Sequence, residues 1–347
     1  MDKSNRYIIA FDVMNVAACI AVIALHVNGA FWGFSYQRYW KTCLITETVF
    51  YWAVPLFFML SGATLMNYRD RYTTKEYFAK RFSKTLIPFL FWSVVSIPWA
   101  IYISKYLDIS AVSNFSKLID VIINTKAMSI YWFFLPLFSI YLSIPIISLI
   151  PENKRKLAFG FLILYSFFGD LLSTVCSSIG FTLNPSLCNP MVSGYLIFPL
   201  IGYWISNYPL SRRSRIMIYA LGFLGWAIRF FYTLEKSLAS GKIDMGMSGY
   251  CKFPSVLLSV AVFTWFFYQD WSFLTPPRNL LLLKKLSALS FSIYLTHFYI
   301  MRAVIDIFQI PMQSIIWRIG GIPLTYLLSL VLSLILKRIP LIKNFLP

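Results

Sequence analysis

The stretch Ile8-Ile9-Ala10-Phe11-Asp12-Val13-Met14-Asn15-Val16-Ala17-Ala18-Cys19-Ile20-Ala21-Val22-Ile23-Ala24-Leu25-His26-Val27-Asn28-Gly29 decides the fold. It is a nearly unbroken apolar run of about 20 residues, the length an α-helix needs to cross roughly 30 Å of hydrocarbon. Lys3 and Arg6 precede it, as bases precede a secretory leader. The run is nevertheless too long for a leader's apolar core, has no persuasive small-residue cleavage site and is followed by more runs of its kind. Nine further runs occupy 45–66, 85–104, 130–150, 157–175, 191–208, 216–234, 253–269, 287–306 and 314–336. The expectation is an all-α, polytopic membrane bundle of about ten transmembrane helices, forming one integral-membrane domain over 1–347.

Composition supports that solvent. Of 347 residues 59% are hydrophobic, 19% aromatic and only 13% charged, whereas a soluble chain is about 45–50% apolar and about 25% charged. The net charge of +18, from 31 bases and 13 acids, would point to nucleic acid in a soluble protein, since clustered Lys and Arg displace counterions from phosphates. Here the bases form short tufts between apolar runs, so membrane lipids are the expected partner and nucleic acid is not. With the N-terminus inside, the inner segments carry twenty bases, Arg69, Arg71, Lys75, Lys80, Arg81 and Lys84 among them, and the outer segments eight. By the positive-inside rule both termini are expected in the cytoplasm. No low-complexity tract, heptad run or internal repeat is present, so the function is expected inside the bundle. Cys43, Cys176, Cys188 and Cys251 fall on the outer side, where free thiols are expected and a Cys176–Cys188 bridge is the alternative. Two histidines and no paired-cysteine motif argue against a metal site.

Polar groups at membrane depth carry the functional information, because a charge at the bilayer centre costs roughly 2.5–3.5 kcal/mol on insertion scales. At 100° per residue Asp12, Asn15, Cys19 and His26 fall within about 60° of one another on one helix face, and Asn15 to His26 spans about 16 Å. This stripe is either a hydrogen-bonded helix seam or a pathway. In the ninth run Ser290, Tyr294 and His297 share a face at i, i+4, i+7, with His297 near mid-membrane and Arg302 beyond it. The segment 67–84 reads as a cytoplasmic loop whose bases, ending in Lys80-Arg81-Phe82-Ser83-Lys84, either set topology beside anionic lipid or dock a phosphorylated ligand. Trp132 reads first as part of an interfacial aromatic belt. Glu47 and Asp170 lie near the outer ends of their runs, where Arg229 can pair with either.

Taken in order, these pieces resemble the integral-membrane acyltransferase 3 family, and within it the O-acetyltransferases of cell-surface polysaccharides. The matching stretches are Phe11-Asp12 through Leu25-His26-Val27, and Val54-Pro55-Leu56-Phe57-Phe58-Met59-Leu60-Ser61-Gly62. They continue with Lys80-Arg81 before Ile87-Pro88, Trp132-Phe133 running to Tyr141-Leu142 and Pro145, and Ser292-Ile293-Tyr294 with His297. The resemblance implies a multi-pass protein of the bacterial plasma membrane that moves an acyl group from cytoplasmic acetyl-CoA, without a metal, to a hydroxyl of a cell-surface or lipid-linked glycan. It assigns catalysis to His26, which either activates the acceptor hydroxyl or carries the acyl group briefly. Imidazole suits the first role because its unperturbed pKa lies nearest neutrality. Lys80 and Arg81 would hold the donor's phosphates, with Ser61 and Gly62 permitting close backbone approach to the pathway. Supporting roles fall to Asp12, Asn15, Glu47, Trp132, Arg229, Tyr294 and His297. The family pattern places an arginine eleven residues before the histidine. Here that position is Asn15, which keeps hydrogen bonding and lacks charge, so that cation is missing or comes from another helix. A lipid-linked glycan transporter and a non-catalytic membrane scaffold are the competing readings.

Overall fold

The computed structural model describes residues 8–184 and 194–346. Those residues form helices and connecting turns, with no strand among them. The helices are α1 Ile9–Val27, α2 Arg38–Val49, α3 Ala53–Leu65, α4 Thr74–Arg81, α5 Ile87–Pro98, α6 Phe115–Ile123, α7 Phe134–Ile147, α8 Glu152–Ser178, α9 Ile197–Asn207, α10 Arg212–Ser240, α11 Phe253–Tyr268, α12 Pro277–Phe308 and α13 Ile315–Leu336. Eight continuous helical stretches among the described residues are long and apolar enough to cross a membrane. Many outward side chains are Leu, Ile or Phe, as on α8, where Leu157, Phe161, Leu164 and Phe168 are exposed. Such a surface is matched to lipid rather than water. The chain is a membrane protein.

The boundaries depart from the sequence expectation in three informative places. The second run begins earlier, at Arg38, and breaks into α2 and α3 around Phe50–Trp52. Pro55 explains the break, because its ring clashes with the carbonyl four residues back and it has no N–H to give. The third run also begins earlier. Thr73 caps α4 by accepting from Glu76 N, while the Glu76 carboxylate takes the Thr73 N–H at 2.7 Å, a capping box that starts a helix inside the expected loop. Lys80 and Arg81 are therefore helical. The helix continues through π-helical turns at Phe82–Leu86 and Trp99–Ile103, next to Pro88 and Pro98, where the regular hydrogen-bond ladder cannot be kept.

The third departure concerns the sixth and eighth runs, which are short helices of 11 and 16 residues. Nearly all of α9 is buried by protein, so it has no need to match the full hydrocarbon thickness. Its tight fit comes from two glycines. A Cβ on Gly62 of α3 would stand 1.9 Å from the Pro199 carbonyl oxygen, and one on Gly202 of α9 would stand 2.0 Å from that of Met59. The two helices cross with their backbones in contact, the arrangement small residues allow in membranes. Gly62 thus serves the α3–α9 crossing rather than a ligand. On α10, Gly225 does the same against the Pro254 carbonyl of α11, and Gly222 makes room for the Ala261 side chain. At the centre α1 packs on α12, α3 and α13.

Candidate functional site

The polar stripe of α1 faces the polar stripe of α12 along most of its length. Asn15 donates through Nδ2 to the carbonyl and the hydroxyl of Ser287, at 2.9 and 3.0 Å. The Ser287 hydroxyl in turn donates to Asp12 at 2.5 Å. One turn further, the Cys19 thiol lies 3.5 Å from the Ser290 carbonyl. At the far end His26 Nδ1 and His297 Nε2 are 2.7 Å apart, with the rings inclined by 14°. Ser287 was the member missed by sequence reading, although it extends the spacing of Ser290, Tyr294 and His297 one step backward.

Beside this seam a cavity of about 310 Å³ runs into the bundle. It is lined by Asp12, Asn15, Arg81, Tyr141 and Ser287 and, further along α1, by Val22 together with Val54, Phe133 and Tyr294. From Asp12 to Val22 it follows about 15 Å of α1, and His26 stands one helical turn, about 6 Å, beyond. Ser61 lies on the wall. Arg81 is held over the rings of Tyr141 and Tyr77, at 5.4 and 5.9 Å, and its buried Nε makes no hydrogen bond within the protein. Lys80 is not brought to this cavity. Its Nζ sits 3.9 Å over the Tyr72 ring, beside a separate hollow of about 540 Å³ lined by Arg69, Tyr72, Thr73, Thr74 and Glu76.

Tyr294 is both packing and scaffold: its hydroxyl donates to the Ile130 carbonyl, and Tyr131 returns a bond to Leu295 O at 3.0 Å. These bonds tie the turn carrying His297 to the segment Ser129–Phe133. The next residue, Trp132, stacks on Tyr250 at 5.4 Å, and Tyr250 stacks on Tyr51 at 4.1 Å. Trp132 is thus part of an internal stack rather than only an interfacial belt. The Arg229 guanidinium lies 3.4 Å over Tyr51 and 3.9 Å from Glu47, with both charged residues buried. Of the two acids open to it, Arg229 pairs with Glu47. Asp170 binds Lys252 at 3.1 Å and the Phe253 N–H at 2.7 Å.

Cys19, Cys43, Cys176 and Cys251 are free thiols, and the Cys176–Cys188 alternative lies outside the described residues. Burial pushes the Cys251 thiol up to about 12, so it is not a thiolate nucleophile at neutral pH. No cluster of metal-ligating side chains occurs among the described residues.

The core of this polytopic helical bundle holds a hydrogen-bonded histidine pair one helical turn beyond a cavity lined by Arg81. Residues 8–336 match the family described as an acyltransferase domain: the chain belongs to the integral-membrane acyltransferase 3 family that its motifs resemble, and is a membrane acyltransferase. No curated protein and no solved structure matches the chain.

Proposed function

We propose that this protein is an O-acetyltransferase of the bacterial plasma membrane, moving an acetyl group from cytoplasmic acetyl-CoA to a hydroxyl of a cell-surface or lipid-linked glycan. The observation that carries the reading is the cavity lined by Arg81 that follows α1 as far as Val22, one helical turn short of the hydrogen-bonded His26–His297 pair. Positive-inside orientation turns its Arg81 end to the cytoplasm. At about 310 Å³ it lies at the small end of ligand pockets, which run about 300–1,000 Å³. That volume suits the narrow acyl-bearing arm of the donor and leaves the nucleotide outside it, on the side of Arg81. The unpartnered Arg81 Nε fits a phosphate or carbonyl oxygen.

His26 supplies the base. A sugar hydroxyl is a weak nucleophile at neutral pH, and transfer of its proton to imidazole activates it. The oxygen then bonds to the thioester carbonyl carbon, the carbon–sulfur bond breaks, and the departing sulfur takes the proton back from His26. Atoms and charge balance with no further reactant. The acceptor approaches by the Trp132–Tyr250–Tyr51 stack, which adjoins the segment bonded to the turn of His297, and flat aromatic faces of this kind suit sugar rings.

The test uses membranes containing the protein, acetyl-CoA labelled in the acetyl group, and mass spectrometry of the surface glycan with and without the gene. One added acetyl per modified sugar, lost in His26→Ala, is the expected result. Full transfer by His26→Ala refutes the catalytic assignment. Uptake of a glycan with no mass increment points to the transporter reading instead.

A further inference from the structure

The chain contains only two histidines, and they are hydrogen-bonded to each other across 271 residues. Their contacts determine where each proton resides. His297 Nδ1 lies 2.7 Å from the carbonyl oxygen of Tyr294 in its own helix. A carbonyl only accepts, so His297 Nδ1 carries a hydrogen. His297 is fully buried, and no carboxylate forms an ion pair with either ring among the described residues. An uncompensated buried cation is costly, so the ring is neutral with a single N–H, and its Nε2 is a lone-pair acceptor. The hydrogen in the 2.7 Å contact between the rings therefore belongs to His26 Nδ1. A neutral His26 bearing that hydrogen presents a bare Nε2 on the side of its ring turned away from His297.

We propose that His297 is the positioning residue of the acyl-transfer site, fixing His26 as the Nδ1–H tautomer so that Nε2 is the base. The inference rests on the reading of His26 given above and adds which nitrogen acts and what holds it. The Nε2–H form is the commoner one for imidazole in water, so the active form needs a partner to select it. The hydrogen bond on one ring nitrogen sets the role of the other. His297 is itself well placed to do this. Tyr294 and Leu295 beside it are tied to the Ser129–Phe133 segment, and the Thr296 hydroxyl donates to Ser292 O at 3.0 Å. Phe298 meets the His26 ring edge-on at 6.1 Å, which limits its rotation. When His26 Nε2 takes the acceptor's proton, the bond from Nδ1–H to His297 Nε2 becomes charge-assisted and strengthens. The cation formed in the reaction is thus stabilised without a carboxylate.

The experiment uses the full chain in nanodiscs with ring-15N histidine, which yields only four nitrogen signals. The expected spectrum shows both Nδ1 atoms protonated and both Nε2 atoms bare at neutral pH. In His297→Ala the His26 proton moves to Nε2. Acyl transfer then falls in kcat by on the order of 10²–10⁴-fold, the usual contribution of a positioned base, with the donor KM unchanged. In His297→Gln the amide oxygen can take the place of Nε2, and the Nδ1–H tautomer and much of kcat return. A wild-type His26 protonated at Nε2 overturns the proposal, as does a tautomer unmoved in His297→Ala. The spectra decide this independently of turnover, so the expected tautomers together with full transfer by His26→Ala would overturn the base assignment alone.

Discussion

Replacing Gly62 or Gly202 by Ala tests the central α3–α9 crossing. A carbon–oxygen contact is unstrained from about 3.3 Å, the lower edge of weak Cα–H···O approach. The added Cβ of Gly62→Ala would meet the Pro199 carbonyl oxygen at 1.9 Å, and that of Gly202→Ala would meet Met59 O at 2.0 Å. Each obstacle is backbone and cannot rotate away. The helices must separate by about 1.3 Å, more than the gap of about 0.5–1 Å that already forfeits a quarter to a half of the dispersion well for atoms along the contact. Each substitution is expected to cost about 1–3 kcal/mol, the range for overpacking. The decisive feature is non-additivity. Both clashes are relieved by the same separation, so the double variant should cost clearly less than the two singles together, with a coupling of about 1 kcal/mol or more. Reversible unfolding in detergent, run as a double-mutant cycle, measures it. Strictly additive costs, or single variants as stable as wild type, refute backbone contact as the basis of the crossing. Ser61 lies next to Gly62 and on the cavity wall, so the same variants should also weaken donor binding.

Arg81→Gln should raise the donor KM by about 10-fold or more, the loss expected for one hydrogen bond to a charged group at about 1.5–3 kcal/mol. Lys80→Gln should change it by less than about 2-fold, since Lys80 stands over Tyr72 outside the cavity and an exposed charge contributes little. Saturation of CoA binding to the purified protein distinguishes the two. Glu47→Gln and Arg229→Met should each destabilise by about 3–5 kcal/mol by leaving the other charge buried and alone. The two changes together should cost less than the sum of the singles, as read by thermal unfolding of the singles and the double.

The solvent and the two polar stripes were legible in the sequence because both follow from periodicity. Twenty-residue apolar runs specify membrane helices, and 100° per residue places Asp12, Asn15, Cys19 and His26 on one face. That the stripe of α1 meets the stripe of α12 was not legible, because nothing local encodes which of several helices a face will pack on. The same limit left Arg229 open between Glu47 and Asp170 until packing chose Glu47. The start of α4 was legible in principle, since Thr73 and Glu76 form the three-residue spacing of a capping box, but the density of bases around it reads as a loop. The stack of Trp132, Tyr250 and Tyr51 has no periodic trace, its members coming from three separate segments.

Asn15 in place of the family's arginine changes where the cavity carries its charge. An arginine at that position would lie one turn from Asp12 on the same face, close enough to pair with it. Asn15 and Asp12 instead share the Ser287 hydroxyl, which closes the α1–α12 seam by hydrogen bonds and puts no cation on α1 at this level. The guanidinium that lines the cavity comes from Arg81 on α4, steadied by Tyr77 and Tyr141. An anionic group entering here is drawn to the α4 wall. The narrow remainder of the cavity, lined by Val22, Val54 and Phe133, favours an uncharged tail pointing at the histidines. This arrangement takes the cation off the helix that carries the base. On the proposed mechanism His26 stays neutral and basic without a guanidinium on its own helix, and the electrostatic support during transfer would come from its hydrogen-bonded neighbour, His297.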